Sequence, residues 1–246
     1  MPFPPFLPFL PFTAHPALRD PSMIHPMSTR MFLVRHGETS VAAEDRFAGS
    51  SDVPLSAAGR AQAERLAARL STEKIAAAYC SPMQRTRDTA AIVAAPHRCV
   101  AEPRDGLREI GHGHWEGMRR SDVEAQFPAE YAAWEEDPYT FAPEGGESGV
   151  QVVARALPII RDIAVAHAGK NVLVVSHKAT IRLIVASVLG FDARGYRDRL
   201  DQLPACLNVL DFSTPVRVRL VLFNDVSHYA GAPPRSLRRL SKWCEM

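Results

Sequence analysis

Met31-Phe32-Leu33-Val34-Arg35-His36-Gly37-Glu38-Thr39 is the stretch that decides how the rest of the chain is read. Residues 31–34 are a short apolar run of strand-like character, and it stops abruptly at an arginine, a histidine and a glycine. In open α/β sheets, ligands bind outside the carboxyl ends of the strands. A guanidinium and an imidazole side by side at such an end therefore suit an anion. For an isolated Arg-His pair, a strand ending in two exposed polar residues is the plainer reading.

Here the pair has company. Ser81-Pro82-Met83-Gln84-Arg85-Thr86 brings in a second arginine. Leu107-Arg108-Glu109, followed by Gly113-His114-Trp115-Glu116-Gly117, carries a carboxyl group, and Val174-Val175-Ser176-His177 ends in a second histidine. With Arg35 to Thr39 as the signature and the other segments in the same order, the sequence resembles the histidine phosphatase superfamily, also called the phosphoglycerate mutase-like family. The resemblance covers residues 31–225. It implies phosphoryl chemistry on a histidine, without metal and without cofactor.

Composition sets the outer bounds. The 246 residues allow one large domain or two small ones, and 46% apolar residues suffice for a core. A formal net charge of +2 implies no strong field for nucleic acid. Cys80, Cys99, Cys206 and Cys244 have neither the spacing of a zinc knuckle nor that of a disulfide framework, so reduced, cytoplasmic thiols are expected. No apolar run approaches the ~20 residues of a membrane helix. Residues 1–29 alternate proline with large apolar residues, lack the basic start of a signal peptide, and read as a disordered extension upstream of the domain. A polyproline-type interaction peptide is the other reading of that segment. The domain is expected over 30–228, with a basic tail over 229–246.

Along the chain, strand and helix patterns alternate. Strands are expected at 31–34, 75–80, 98–102 and 171–176, with a closing pair at 206–212 and 216–223. Helices are expected after Ser56, after Pro82, over 119–134 with a break at Pro128, over 150–168 with a kink at Pro158, and over 179–189. The almost wholly apolar run at 171–176 fits a strand buried on both faces. The alternation predicts an α/β fold, a three-layer αβα sandwich with a mostly parallel central sheet. Residues 107–147 form a small cap region beside the site.

The chemistry follows from the residue types. His36 is the expected nucleophile, because an imidazole of pKa ~6.5 is largely unprotonated at neutral pH. A backbone carbonyl or similar acceptor must hold its other ring nitrogen as N–H. Arg35 and Arg85 offer planar forks for phosphate oxygens, and family spacing selects Arg85 over Arg87. His177, if protonated, donates to the same oxygens, and the helix after it favours an anion at its N-terminus. Glu109 is the expected acid and base, its pKa raised by an apolar cap beside Trp115. His112 and His114 lack a third ligand for zinc. The candidate catalytic residues are His36, Glu109, His177, Arg35 and Arg85. The candidate substrate-binding residues are Arg35, Gly49, Arg85, His112, Arg120, His177 and Lys178.

Hydrolysis is favoured over transfer. Mutases of this family carry an arginine pair after the tryptophan matched by Trp134, where this chain has Glu135-Glu136-Asp137. Ala42 and Ala48 replace a hydrogen-bonding asparagine and threonine. Arg120 and Lys178 point the other way: each either binds a carboxylate or second phosphate, or is a solvated helix charge. The main reading is a phosphomonoesterase for a small phosphorylated metabolite. A mutase, and a phosphoprotein-directed or binding member, are the alternatives. No nucleic-acid or membrane partner is expected, and a homodimer is compatible with the sequence.

Overall fold

The computed structural model describes residues 28–39, 46–49 and 51–229. Residues 1–27 of the proline-rich extension, Ala42, Cys244 and the tail beyond 229 lie outside the described residues.

Six strands form one sheet in the order β3-β2-β4-β1-β5-β6. They are β1 (Thr29–Arg35), β2 (Ile75–Cys80), β3 (Ala101–Pro103), β4 (Asn171–Ser176), β5 (Leu207–Thr214) and β6 (Arg217–Asp225). The pairings β3-β2, β2-β4 and β4-β1 are parallel, while β1-β5 and β5-β6 are antiparallel. The first strand begins at Thr29, two residues before its apolar run, because the Thr29 hydroxyl is buried and donates to the carbonyls of Ala164 and His167. The third strand is shifted towards Pro103 because Arg98 takes a left-handed conformation (φ 56°) and turns the chain there.

Alternation along the strands divides the core into two halves. Met31 and Leu33 of β1, with Val172 and Val174 of β4, face Ile160 of α5 (Gly149–Ala166) and Ile181 of α6 (Lys178–Leu189). Phe32, Val34, Leu173 and Val175 face Leu66 of α1 (Ala57–Leu70) and Val93 of α2 (Gln84–Ala94). Val172 to Val175 are all fully buried, which explains the unbroken apolar run in β4. Burial of each such side chain stabilises by about 1.5–3 kcal/mol relative to leaving it in water. The result is the three-layer sandwich. α5 starts with a capping box between Ser148 and Gln151 and continues through Pro158, which lies on its exposed side.

Pro128 divides the expected 119–134 helix into α3 (Arg120–Gln126) and α4 (Pro128–Glu136). These two short helices carry the cap, whose own core is Phe47, Trp115, Val123 and Trp134. A last short helix, α7 (Tyr196–Arg199), packs against α6.

Candidate active site

The site is built at the carboxyl ends of β1, β2 and β4. Arg35 ends β1 and His36 follows it. The neighbouring strands fix both backbones. His36 N–H donates to Ser176 O at 3.0 Å, and Ala205 N–H donates to His36 O at 3.0 Å. Gly37 is required by close approach, since a Cβ there would lie 2.5 Å from the carbonyl oxygen of Gly59 on α1.

His36 is 7% exposed, and its Nδ1 lies 2.7 Å from Gly37 O. A carbonyl only accepts, so Nδ1 carries the proton and Nε2 holds the lone pair. Burial, then the charges of Arg35 and Arg85, push the His36 pKa well below its ordinary value. The ring is therefore neutral at neutral pH and directs its basic nitrogen away from Gly37.

Arg85 lies in the first turn of α2 and is buried, whereas Arg87 is exposed. Its Nη1 donates to Ser51 O (2.7 Å) and its Nη2 to Gly49 O (3.0 Å). Its Nε donates to His177 Nδ1 at 3.3 Å. That bond makes Nδ1 the acceptor, so His177 Nε2 carries the proton and donates to Ser81 Oγ at 2.8 Å. Burial, followed by neighbouring positive charge, holds the His177 pKa well below its ordinary value. The protonated donor expected at this position is thus a neutral ring in the structure, because full burial beside two arginines disfavours a further cation. The two imidazoles sit edge to face, with centroids 5.2 Å apart.

Glu109 departs from expectation in its surroundings. Its carboxylate takes the N-terminus of α6: Ala179 N–H donates to Oε2, and Thr180 N–H and Oγ1–H donate to Oε1, each at 3.1 Å. Ile110 N–H adds a bond of 3.0 Å to Oε1. The helix end expected to favour the substrate anion is therefore occupied by the protein's own carboxylate. Trp115, expected to shelter Glu109, instead stacks on Phe141 and meets Trp134 edge to face in the cap core.

One cavity of about 260 Å³ brings most of these groups together. Arg35, His36, Arg85, Glu109, His112, Arg120 and Lys178 all line it. His177 and Gly49 do not: His177 is fully buried behind Arg85 and Ser81, and Gly49 N–H donates to the Glu116 carboxylate while its carbonyl accepts from Arg85. A Cβ at Gly49 would lie 1.9 Å from Ile110 O, so packing accounts for the glycine. His112 packs edge-on to Phe47 at 4.8 Å, and Arg120 lies over Phe47 and Trp134 at 5.6 and 5.1 Å. Among the described residues no cluster of His, Cys, Asp or Glu has the makings of a metal site, and Cys80, Cys99 and Cys206 are free thiols.

Sequence reasoning missed four contributors. Arg182 of α6 and Tyr196 and Arg197 of α7 line the same cavity. Arg155 of α5 donates to the carbonyls of Gly106, Arg108 and Glu109 and forks onto the Glu147 carboxylate, fixing the loop that carries Glu109. The i, i+3 and i+4 pattern that assigns Arg155 and Arg182 to helices says nothing about which loop they meet.

The two low-pKa histidines give acid lability. Both rings are neutral in the folded chain and become protonated in the unfolded chain below pH ~6.5. The unfolded state then binds more protons, so this stability is full above pH ~6.5 and is lost as pH falls below it. The loss is about 1.4 kcal/mol per pH unit per ring. Between pH 6 and 5, denaturant titrations of His36→Gln should show a slope about 1 kcal/mol per unit shallower than the parent. Equal slopes would mean that His36 titrates alike in both states.

The profile of the histidine phosphatase superfamily (branch 1) matches residues 31–226. The chain belongs to this superfamily. Among curated histidine phosphatase relatives, phosphoserine phosphatase 1 of Hydrogenobacter thermophilus is 34% identical over 163 residues, covering 66% of this chain and 77% of that protein. The solved structure of Bacillus stearothermophilus YhfR superposes with a TM-score of 0.76 at 30% identity, covering 81% of this chain and 98% of that one. Mycobacterial glucosyl-3-phosphoglycerate phosphatase superposes with a TM-score of 0.73 at 28% identity, over 80% of this chain and 99% of that one. The six-stranded sheet and its helices are thus those of a histidine phosphatase. No described helix is long and apolar enough to cross a membrane.

Proposed function

We propose that this histidine phosphatase hydrolyses phosphomonoesters of small metabolites through a phosphohistidine on His36. The observation that carries the reading is the 2.7 Å bond from His36 Nδ1 to Gly37 O in a buried, cation-rich setting. It supports a neutral imidazole with Nε2 ready to attack phosphorus. Attack forms the N–P bond as the ester P–O bond breaks, and the leaving alkoxide takes a proton from Glu109, which enters this step as the carboxylic acid and leaves it as the carboxylate. Water then attacks phosphohistidine while Glu109 accepts its proton, and inorganic phosphate leaves. Arg35 and Arg85 offset the charge on the phosphoryl oxygens, which is greatest in the transition state. His177 holds Arg85 Nε and is a further donor after reorientation towards the phosphate.

The phosphatase names of relatives support hydrolysis. The position of Glu135 also favours it: this carboxylate, where mutases place a cation, pairs with Arg197 at 2.9 Å. The cavity volume favours a metabolite over a phosphoprotein. A cytoplasmic setting fits the free thiols.

The test is a phosphomonoester screen with purified protein, with and without 2,3-bisphosphoglycerate, before and after exhaustive chelation. Phosphate release that needs neither bisphosphate nor divalent ion is expected. Phosphoryl transfer that starts only with 2,3-bisphosphoglycerate would make the protein a mutase. Activity lost to EDTA and restored by a divalent ion would replace the arginine scheme.

A further inference from the structure

A polar network lies buried where the apolar core would otherwise continue. Leu207, Val209 and Leu210 of β5 are core residues, yet Asn208 among them is fully buried, as are Gln202 and Cys206 just before it. Burying a carboxamide carries a desolvation cost that an aliphatic side chain does not, so its place there calls for a reason. Main-chain groups fix its orientation. Asn224 N–H can only donate, and Asn208 Oδ1 accepts from it at 2.9 Å. Leu33 O can only accept, and Asn208 Nδ2 donates to it at 2.9 Å. The Gln202 amide then meets the Asn208 amide head to tail. Gln202 Nε2 donates to Asn208 Oδ1 at 2.8 Å, and Asn208 Nδ2 donates to Gln202 Oε1 at 2.9 Å. The Cys206 thiol donates to Gln202 Oε1 as well.

This network leads to the phosphate position. Gln202 O accepts from Arg35 Nη1 at 2.7 Å, and Arg35 lines the catalytic cavity beside His36. At the other end, Leu33 is the register partner of Asn208 and lies two residues before Arg35 on β1. Hydrogen bonds therefore close a ring from Leu33 through Asn208 and Gln202 to the Arg35 guanidinium. The connection that carries Gln202 needs such an anchor, because Ala205 takes a left-handed conformation (φ 49°) that alanine disfavours.

We propose that Gln202 and Asn208 are positioning residues that aim Arg35 at the phosphoryl group. The inference rests on the phosphomonoesterase reading and adds to it two residues that never touch the substrate. A planar guanidinium held at one nitrogen by a fixed carbonyl has few orientations left. Misplacing a group by about 1 Å can cost ~100-fold in rate.

A double-mutant cycle with Arg35, in the full chain with p-nitrophenyl phosphate as substrate, tests it. Gln202→Met and Asn208→Leu, made together, keep size and remove both amides. In the wild-type background they should lower kcat/KM by about 10- to 100-fold and weaken inhibition by orthovanadate by a similar factor. In the Arg35→Ala background the same two changes should alter kcat/KM by no more than about 2-fold, since the group they aim is gone. A merely structural role would lower the melting temperature and act equally in both backgrounds. Should the double variant not fold, Gln202→Met alone leaves Asn208 bonded to Leu33 O and Asn224 N–H. Its loss should be about 3- to 10-fold, again confined to the background that keeps Arg35. Equal losses in the two backgrounds, or full activity in the folded variants, would overturn the positioning role while leaving the phosphatase reading intact. Wild-type protein inert towards p-nitrophenyl phosphate and every other phosphomonoester would overturn both.

Discussion

His36→Ala should lose both half-reactions, with kcat lowered by about 10⁵- to 10⁶-fold, the order seen when the nucleophile of a catalytic unit is removed. No other described group offers a neutral nitrogen in this position. His177 has Nδ1 engaged by Arg85 and Nε2–H by Ser81. The variant should still fold, because deleting a buried imidazole also removes its acid lability, and Gly37 O loses only one donor. Rapid quench with ³²P-labelled substrate should find acid-labile, alkali-stable label on the wild-type His36 peptide and none in the variant. Label on serine, cysteine or aspartate would sink the assignment of His36.

Glu109→Gln should slow turnover by roughly 100- to 10,000-fold, the usual worth of general acid–base help. It should still form phosphohistidine. The structure adds a cost that residue type alone does not show. Both carboxylate oxygens accept, Oε2 from Ala179 N–H and Oε1 from Thr180 N–H. An amide must turn its NH₂ against one of these donors, at a cost of about 1–3 kcal/mol. The variant should therefore melt earlier as well as react slowly. With p-nitrophenyl phosphate, whose leaving group needs no proton, the first step should suffer least and water attack should become limiting. Label should then accumulate on His36 during turnover. Full activity without accumulation would show that another group moves the proton.

The two arginines of the second segment illustrate what spacing carries. Arg85 and Arg87 are alike in composition and two apart, and helical geometry sends one into the site and the other into solvent. Arg182 illustrates the opposite. Within its helix it reads as one cation among apolar residues, and only the packing of α7 against α6 turns it into a cavity wall. Glu109 lies between the two cases. Its place in the site was legible, but its partners were not, because they are main-chain N–H groups 70 and 71 residues away.

By itself the sequence determined the layered α/β architecture, through apolar runs of strand length alternating with helical patterns, and picked out Arg35, His36, Arg85 and Glu109, which the structure brings to one cavity, through ordered segments. Such signals are local and survive without knowledge of what touches what. Tertiary structure alone decided that His177 is neutral and which groups hold both rings, since that depends on burial and on Gly37 O, Ser81 and Arg85 as partners. It also decided that Glu109, and not a ligand, takes the N-terminus of α6, and that Arg182 and Arg197 meet at one wall. Charge, desolvation and hydrogen-bond satisfaction act through space at distances of a few ångströms, and sequence separation does not encode them.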